Sequence, residues 1–422
     1  MGDTVSRRDF VKTGMSVSAA TLAGCAPLVH AGGQEATLKI GLVGCGGRGT
    51  GAAENCMNSA KNVQLVALGD MFADKIKTAR KNLSAQGHDG YKVQDDTCFS
   101  GPEAYKKVID AVDLVLFATP PGFRPIHLAA AVEAGKHVFI EKPVAVDPVG
   151  IRKVIEAGEK AKAKKVAVVA GTQYRHQTSF METIKRIHEG AIGKIISGRA
   201  YYNTGTLWSK PRTKDMTDTE YQLRNWLYFD YLSGDHFVEQ HIHTIDVTDW
   251  AMGAHPVKAV GVGGRQVRTG NQFGNVYDHF AVDYEYPDGR HVTSMARQFA
   301  QTPGHVGAYF EGADGEANVY AATISGKNAW KFDGKISIAD AYIREHTDLV
   351  ESIRSGKPLN EAAQVAQTTL TAIMGREAAY TGKVVTWEEM EKSDLVLAPT
   401  NMEKLEFGPV AIRPVPMPGQ ER

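Results

Sequence analysis

The chain has 422 residues, 43% hydrophobic and 23% charged, which is long enough for two domains with separate cores and ordinary for a soluble globular protein. Its 48 basic side chains match 48 acidic ones, which excludes an overall field drawing the protein to nucleic acid or an anionic membrane. A small-molecule partner is the expectation that remains.

Residues 1–31 do not read as part of the fold. Ser6-Arg7-Arg8-Asp9-Phe10-Val11-Lys12 is a twin-arginine pattern, and residues 15–29 form a mildly apolar stretch too short to span a bilayer comfortably. An export signal and a periplasmic or otherwise extracytoplasmic destination are expected. Two processing sites stay open. Leu22-Ala23-Gly24-Cys25 looks like a lipoprotein box that would leave Cys25 as a lipid anchor, the one expected tie to a membrane; Val29-His30-Ala31 offers ordinary cleavage. Either cut leaves the chain near neutral. Cys45, Cys56 and Cys98 are an odd number in one region, so no disulfide framework is expected.

From residue 38 short β-branched runs alternate with amphipathic stretches. Residues 38–43, 63–68, 114–119 and 137–140 read as buried parallel strands, and 51–59, 74–84 and 125–134 as helices. A helix over 148–165 leads into a strand over 166–171, and its run of Lys160, Lys162, Lys164 and Lys165 reads as a solvated helix end. The fold class is α/β: a Rossmann dinucleotide-binding domain over 36–165. An α+β domain over 166–407 follows, with a large, mainly antiparallel open sheet. In it 257–268, 279–286 and 291–299 read as strands, the last two joined at Pro287-Asp288-Gly289. Phe280, Val282, Tyr284 and Tyr286 recur at period two, so one sheet face is buried, either under helices or against another subunit. A helix over 362–381 is expected to pack back on the first domain. Residues 408–422, with Pro409, Pro414, Pro416 and Pro418, read as an extended arm.

Gly44-Cys45-Gly46-Gly47-Arg48-Gly49 follows the first strand and opens a helix. Its glycines permit the tight turn, the approach of backbone to a pyrophosphate, and close packing of helix on strand. Asp70 stands about 20 residues further on, where an acid meets a ribose 2′-hydroxyl. That acid favours NAD over NADP, because a 2′-phosphate would meet a like charge.

With Ala118-Thr119-Pro120-Pro121, His127, the run Ala134-Gly135-Lys136-His137-Val138-Phe139-Ile140-Glu141-Lys142-Pro143 and a late Gly-Asp-His-rich helix, the sequence resembles the Gfo/Idh/MocA family. That is the glucose-fructose oxidoreductase and inositol dehydrogenase group, and the resemblance extends over nearly the whole chain after residue 31. It implies that Thr119, Pro120, His127 and Glu141 lie along the cofactor and that Lys142 reaches a substrate hydroxyl. It also implies that Gln173 contacts the nicotinamide carboxamide, that Arg175 faces substrate, and that the protein is a homodimer or homotetramer.

Ser233 to Asp246 carries a second constellation. If it is helical, Glu239 and His243 are four apart on one face, with Asp246 a turn beyond. By the resemblance Glu239 stands where relatives carry an aspartate, and His243 matches their active-site histidine. Imidazole titrates near neutrality, so His243 is the expected general base and Lys142 a proton relay or alkoxide stabiliser. A metal is not expected: His241 and His243 would point to different helix faces, and Glu239 with His243 are too few ligands. His236 and His241 are substrate contacts or structural histidines. Tyr202, Asn203, Trp208, Arg224 and Trp226 belong to a sugar platform or are ordinary core and loop residues.

An exported dinucleotide enzyme has little free NAD to exchange, so a tightly bound cofactor recycled in place is expected. The leading expectation is an NAD-dependent oxidoreductase of a sugar or polyol. A glycosidase working by transient oxidation, elimination and re-reduction is the alternative, and a non-catalytic dinucleotide-bound protein the third.

Overall fold

The computed structural model describes residues 36–397, 399 and 410–420. The export segment, Cys25 and the start of the proline-rich arm lie outside the described residues.

Six parallel strands form the first sheet: β1 (Leu38–Val43), β2 (Val63–Asp70), β3 (Cys98–Ser100), β4 (Leu114–Phe117), β5 (His137–Ile140) and β6 (Val168–Ala170), in the order β3-β2-β1-β4-β5-β6. The apolar runs of β1, β4 and β5 are buried almost throughout, as strands covered on both faces must be. The covering helices are α1 (Gly47–Ser59), α2 (Ala73–Ser84), α3 (Ala104–Ala111), α4 (Arg124–Glu133) and α5 (Pro148–Lys164). Strand order reverses between β1 and β4, and a crevice opens at their carboxyl ends. β3 and α3 are additions to the sequence reading. A three-residue strand carries no period, whereas buried Ala104, Tyr105, Val108 and Ile109 in α3 do show helical spacing.

After α6 (Thr178–His188) comes β7 (Ile195–Thr204), then α7 (Asp218–Arg224), α8 (Asp230–Ser233), α9 (Asp235–Glu239) and α10 (Ile242–Met252). The strands β8 (Lys258–Gly264), β9 (His279–Glu285), β10 (His291–Gln298), β11 (His305–Gly312), β12 (Gly315–Asn318), β13 (Thr323–Gly326) and β14 (Trp330–Lys331) follow. The chain then forms α11 (Ile338–Arg354), α12 (Ala362–Thr381) and β15 (Val385–Thr386). The second sheet runs β14-β13-β12-β11-β7-β10-β9-β8-β15, antiparallel except for β7 beside β10.

The period-two face of β9 is covered by helices. Phe280 packs on Phe237 of α9, and the Tyr284 hydroxyl donates to the Thr371 carbonyl of α12 at 2.9 Å. Gly375 lets that tyrosine in, since a Cβ there would stand 2.1 Å from its hydroxyl. The α12 helix is buried on nearly every side and also packs on α5, so one core runs from the first sheet's helices to the second sheet.

The Gly-Asp-His segment is not one helix. Gly234 and Asp235 both take positive φ and divide α8 from α9, and the chain breaks again at Gln240 and His241. Asp235 is held there by the Tyr277 N–H at 2.7 Å and by the Tyr380 hydroxyl. Glu239 therefore ends one helix and His243 begins the next, and the expected shared face does not form.

The α10 helix is anchored by Asp249, which accepts from the Tyr286 hydroxyl and from Thr371 Oγ1, each at 2.8 Å. Burial, ahead of those hydrogen bonds, pushes its carboxyl up to about 7. A folded value above the unfolded one means this group's contribution is fully present below the unfolded pKa and is lost as pH rises through about 7. Asp249→Asn removes the titration, so the wild-type melting temperature should fall relative to the variant's between about pH 4 and pH 7. Calorimetry showing a constant difference across that range would contradict the placement.

Candidate active site

Gly44 ends the first strand with φ +97, and a Cβ on it would meet the Ala118 backbone at 2.6 Å. A Cβ on Gly49 would stand 1.9 Å from the Gly44 carbonyl oxygen, so helix and turn touch there. At Gly46 and Gly47 a Cβ would meet nothing within 4 Å. That open space faces the N-terminus of α1, where no side chain caps the first N–H groups. Free donors and the positive end of the helix dipole form an anion cradle. Asp70 steadies it by accepting the Cys45 N–H at 2.7 Å and the Phe72 N–H at 2.9 Å. Burial raises the Asp70 carboxyl while those two bonds act the other way.

The cradle opens into a cleft of about 460 Å³, lined from the first sheet by Gly44, Gly46, Gly47, Arg48, Gly49, Asp70, Thr119, Pro120 and His127. Its other wall is Trp208, Lys210, Leu223, Arg224 and Trp226. His127 shares a 3.1 Å hydrogen bond between Nδ1 and Thr119 Oγ1 and lies among Tyr105, Phe117 and Phe123. Burial first, then Arg124, pushes it down to about 3, so it is neutral. Arg124, which the sequence reading passed over, donates to the carbonyls of Thr119 at 2.9 Å and Pro143 at 2.6 Å, joining the loops after β4 and β5.

Arg48 reaches across the crevice to Glu141, Nε to Oε1 at 2.5 Å, and its guanidinium lies 4.4 Å over the Tyr342 ring. Gln173 Nε2 donates to the Tyr342 hydroxyl at 3.4 Å. Arg48 Nη2 and Gln173 Oε1 are buried with no hydrogen-bond partner among the described residues. The glycine cradle, an acid at the end of β2, and a donor and an acceptor without hydrogen-bond partners at the inner end fit a nicotinamide dinucleotide. Tyr342 and the fully buried Glu345 come from α11. The sequence reading did not include this helix; its buried Ala341, Glu345, Leu349 and Ser352 show helical spacing, but nothing in the sequence says where it docks.

Lys142 points away from Glu141. Its Nζ donates to the Glu239 carbonyl at 2.5 Å and pairs with Glu239 Oε1 at 3.1 Å, so the carboxylate serves Lys142 in place of the expected helical pairing with His243. The His243 ring stacks on Tyr202, centroids 6.3 Å apart, with Tyr174 edge-on at 5.7 Å. Burial, then the Lys142 and Arg48 cations, holds His243 well below the ordinary histidine value while part of the residue stays exposed. The site thus holds a neutral imidazole and a lysine whose electrostatic fields overlap.

Three expected substrate residues are placed elsewhere. His241 is fully buried, with Nε2 on Ser294 Oγ at 2.5 Å and Nδ1 on Thr244 Oγ1 at 2.6 Å, so both ring nitrogens are occupied and it is a core histidine. Arg175 binds both Asp246 oxygens, which sets the position of α10. Trp226 lines the dinucleotide cleft beside Trp208, not the surroundings of Lys142 and His243.

A Rossmann sheet with this glycine cradle, joined to an open mainly antiparallel sheet, defines the class: a two-domain NAD-binding oxidoreductase. Residues 38–170 match the family described as "Oxidoreductase family, NAD-binding Rossmann fold", and residues 180–318 match the GFO/IDH/MocA C-terminal domain. The chain belongs to the Gfo/Idh/MocA family. It is similar to inositol 2-dehydrogenase 3 of Saccharopolyspora erythraea, 24% identical over 83% of this chain and 95% of that protein. It is also similar to a glycosyl hydrolase family 109 protein of Shewanella amazonensis, 26% identical over 48% of this chain. That match spans 47% of the relative's length, about half, as do those to several other curated relatives. The scyllo-inositol dehydrogenase of Lactobacillus casei with bound NAD(H) and scyllo-inositol shares the fold, with a TM-score of 0.64 at 21% identity over 83% of this chain and 99% of that one.

Because Gly46 has open space around it and an ordinary φ of −75, Gly46→Ala should fold normally yet obstruct the pyrophosphate. Calorimetric titration should show NAD affinity weakened by about tenfold or more with an unchanged melting temperature. Unchanged affinity would place the pyrophosphate elsewhere.

Proposed function

We propose that the protein oxidises a secondary alcohol of a sugar or polyol, with NAD as a tightly held cofactor. The observation that carries this reading is Lys142, fixed by Glu239 beside the neutral His243, just past the end of β5 and next to Glu141, which pairs with Arg48 of the cleft. Bound NAD would supply the acceptor for the hydride that leaves the alcohol carbon. His243 accepts the hydroxyl proton, and the Lys142 ammonium faces the negative charge that develops on the oxygen. Glu239 keeps that ammonium in place, and Tyr202 offers a face for a sugar ring against His243. Relatives named as inositol dehydrogenases support the substrate class.

NADH formation from a panel of inositols and aldoses tests the reading. In His243→Ala the rate should drop about hundredfold or more while NAD still binds. Wild-type turnover in that variant would mean that another group takes the proton.

Similarity to glycosyl hydrolase family 109 proteins favours a second reading, in which oxidation is transient and a glycosidic bond is broken before the hydride returns. Release of an aglycone with no net NADH would select it.

The twin-arginine pattern at Arg7 and Arg8 supports export, and an extracytoplasmic enzyme would recycle its cofactor in place. The outer face of the second sheet exposes Val260, Val262 and Met295, supporting a homodimer or homotetramer paired through it. Sedimentation equilibrium should give a dimer or tetramer mass; a monomer at cellular concentrations would remove this pairing.

A further inference from the structure

We propose that residues 205–226 are a clamp that closes over the adenosine half of the dinucleotide and makes the cofactor slow to exchange, with Arg224 as its latch. The proposal rests on the reading of the cleft as an NAD site.

The cleft is built from both halves of the chain. Asp70, where the adenosine ribose is expected, and Phe72 just beyond it form one wall; Trp208, Lys210, Leu223, Arg224 and Trp226 form the opposite one. Arg224 joins the two. Its Nη2 meets Asp74 Oδ1 at 3.0 Å and its Nη1 meets Asp74 Oδ2 at 3.1 Å, while the guanidinium lies 3.9 Å over the Phe72 ring. Asp74 begins α2 directly after the β2 turn, so this fork ties the second half of the chain to the ribose end of the nucleotide wall. Behind it, Leu223 and Trp226 share an apolar cluster with Met71, Phe72 and Phe123.

The clamp is stiff at its base. The Tyr228 hydroxyl donates to the carbonyls of Leu207 at 3.1 Å and Trp208 at 3.0 Å, the Asn225 side chain accepts the Lys210 N–H at 2.8 Å, and its amide donates to the Gln272 carbonyl at 2.7 Å. The C-terminal arm adds two ties, Arg413 to Asp230 and Gln222 to the Val410 carbonyl, both at 2.8 Å. The latch is softer. The Asp74 side chain is 60% exposed, so salt can screen the pair. A firm arm closed by a solvent-accessible ion pair opens by losing that pair, and a dinucleotide beneath it leaves only when it opens.

The test is the NADH dissociation rate of the full-length protein. It is read by loss of energy transfer from tryptophan to the bound nucleotide on mixing with excess NAD. Arg224→Ala and Asp74→Ala should each speed release about fivefold to tenfold, as expected for losing a bidentate pair at the surface. The double variant should be no faster than either single one, because both remove one interaction. Raising salt should speed release from the wild type and leave Arg224→Ala little changed. Nucleotide-free melting temperatures within about a degree of the wild type show that the variants are folded. Equal release rates in wild type and folded variants overturn the clamp. Failure of the wild type to bind NADH at all would overturn the cofactor reading beneath it.

Discussion

The Arg48 to Glu141 ion pair, 2.5 Å long at the mouth of the first sheet, is the contact on which the rest of the site depends. Glu141 is buried, and a carboxylate there without a cation would cost several kcal/mol. Arg48 can supply the charge because the Gly44 turn delivers it at the start of α1. Glu141 fits because Gly171 lacks a side chain: a Cβ there would meet its Oε2 at 2.5 Å. The ends of β1 and β5 are tied by this pair, and the end of β6 packs against it. With Glu141 committed to the cofactor side, the next residue, Lys142, is directed to the other side and reaches Glu239.

The second sheet reaches that point through α12. Arg376, fully buried, donates to the carbonyls of Val146 at 2.8 Å and Gly234 at 3.1 Å, joining the segment after Lys142 to the turn before α9. Tyr380 holds Asp235 from the same helix, and Thr368 binds Asp246 at 2.9 Å. The halves of the chain are therefore registered by a helix that belongs to the core of both, so Lys142 from one and Glu239 and His243 from the other meet reproducibly.

Burial sorts the histidines into roles. His127, His236, His241 and His243 are all held below the ordinary value, chiefly by desolvation, and all are neutral. His127 is packed among aromatic rings and bonded to Thr119, and His241 has both nitrogens engaged in the core. His243 alone of the four remains partly exposed, next to a lysine, where a neutral imidazole is within reach of a substrate.

The parallel sheet, the glycine cradle, Asp70 and the late helix were all legible in the amino-acid sequence. Each rests on local rules: apolar runs long enough to show their period, glycine where backbone must approach backbone, an acid at the end of the second strand. The partners were not legible. The segment expected to align Glu239 with His243 starts at Asp235, whose positive φ is stabilised by Tyr277 and Tyr380, residues distant in sequence, and it is broken between the two side chains at Gln240 and His241. That break turns Glu239 to Lys142, and tertiary packing likewise places His241 in the core, Arg175 on Asp246 and Trp226 over the nucleotide cleft. Local sequence determined which chemical groups the protein carries and which elements bear them. Only the tertiary structure decided which groups face one another, because those contacts join positions tens to hundreds of residues apart and leave no period in the chain.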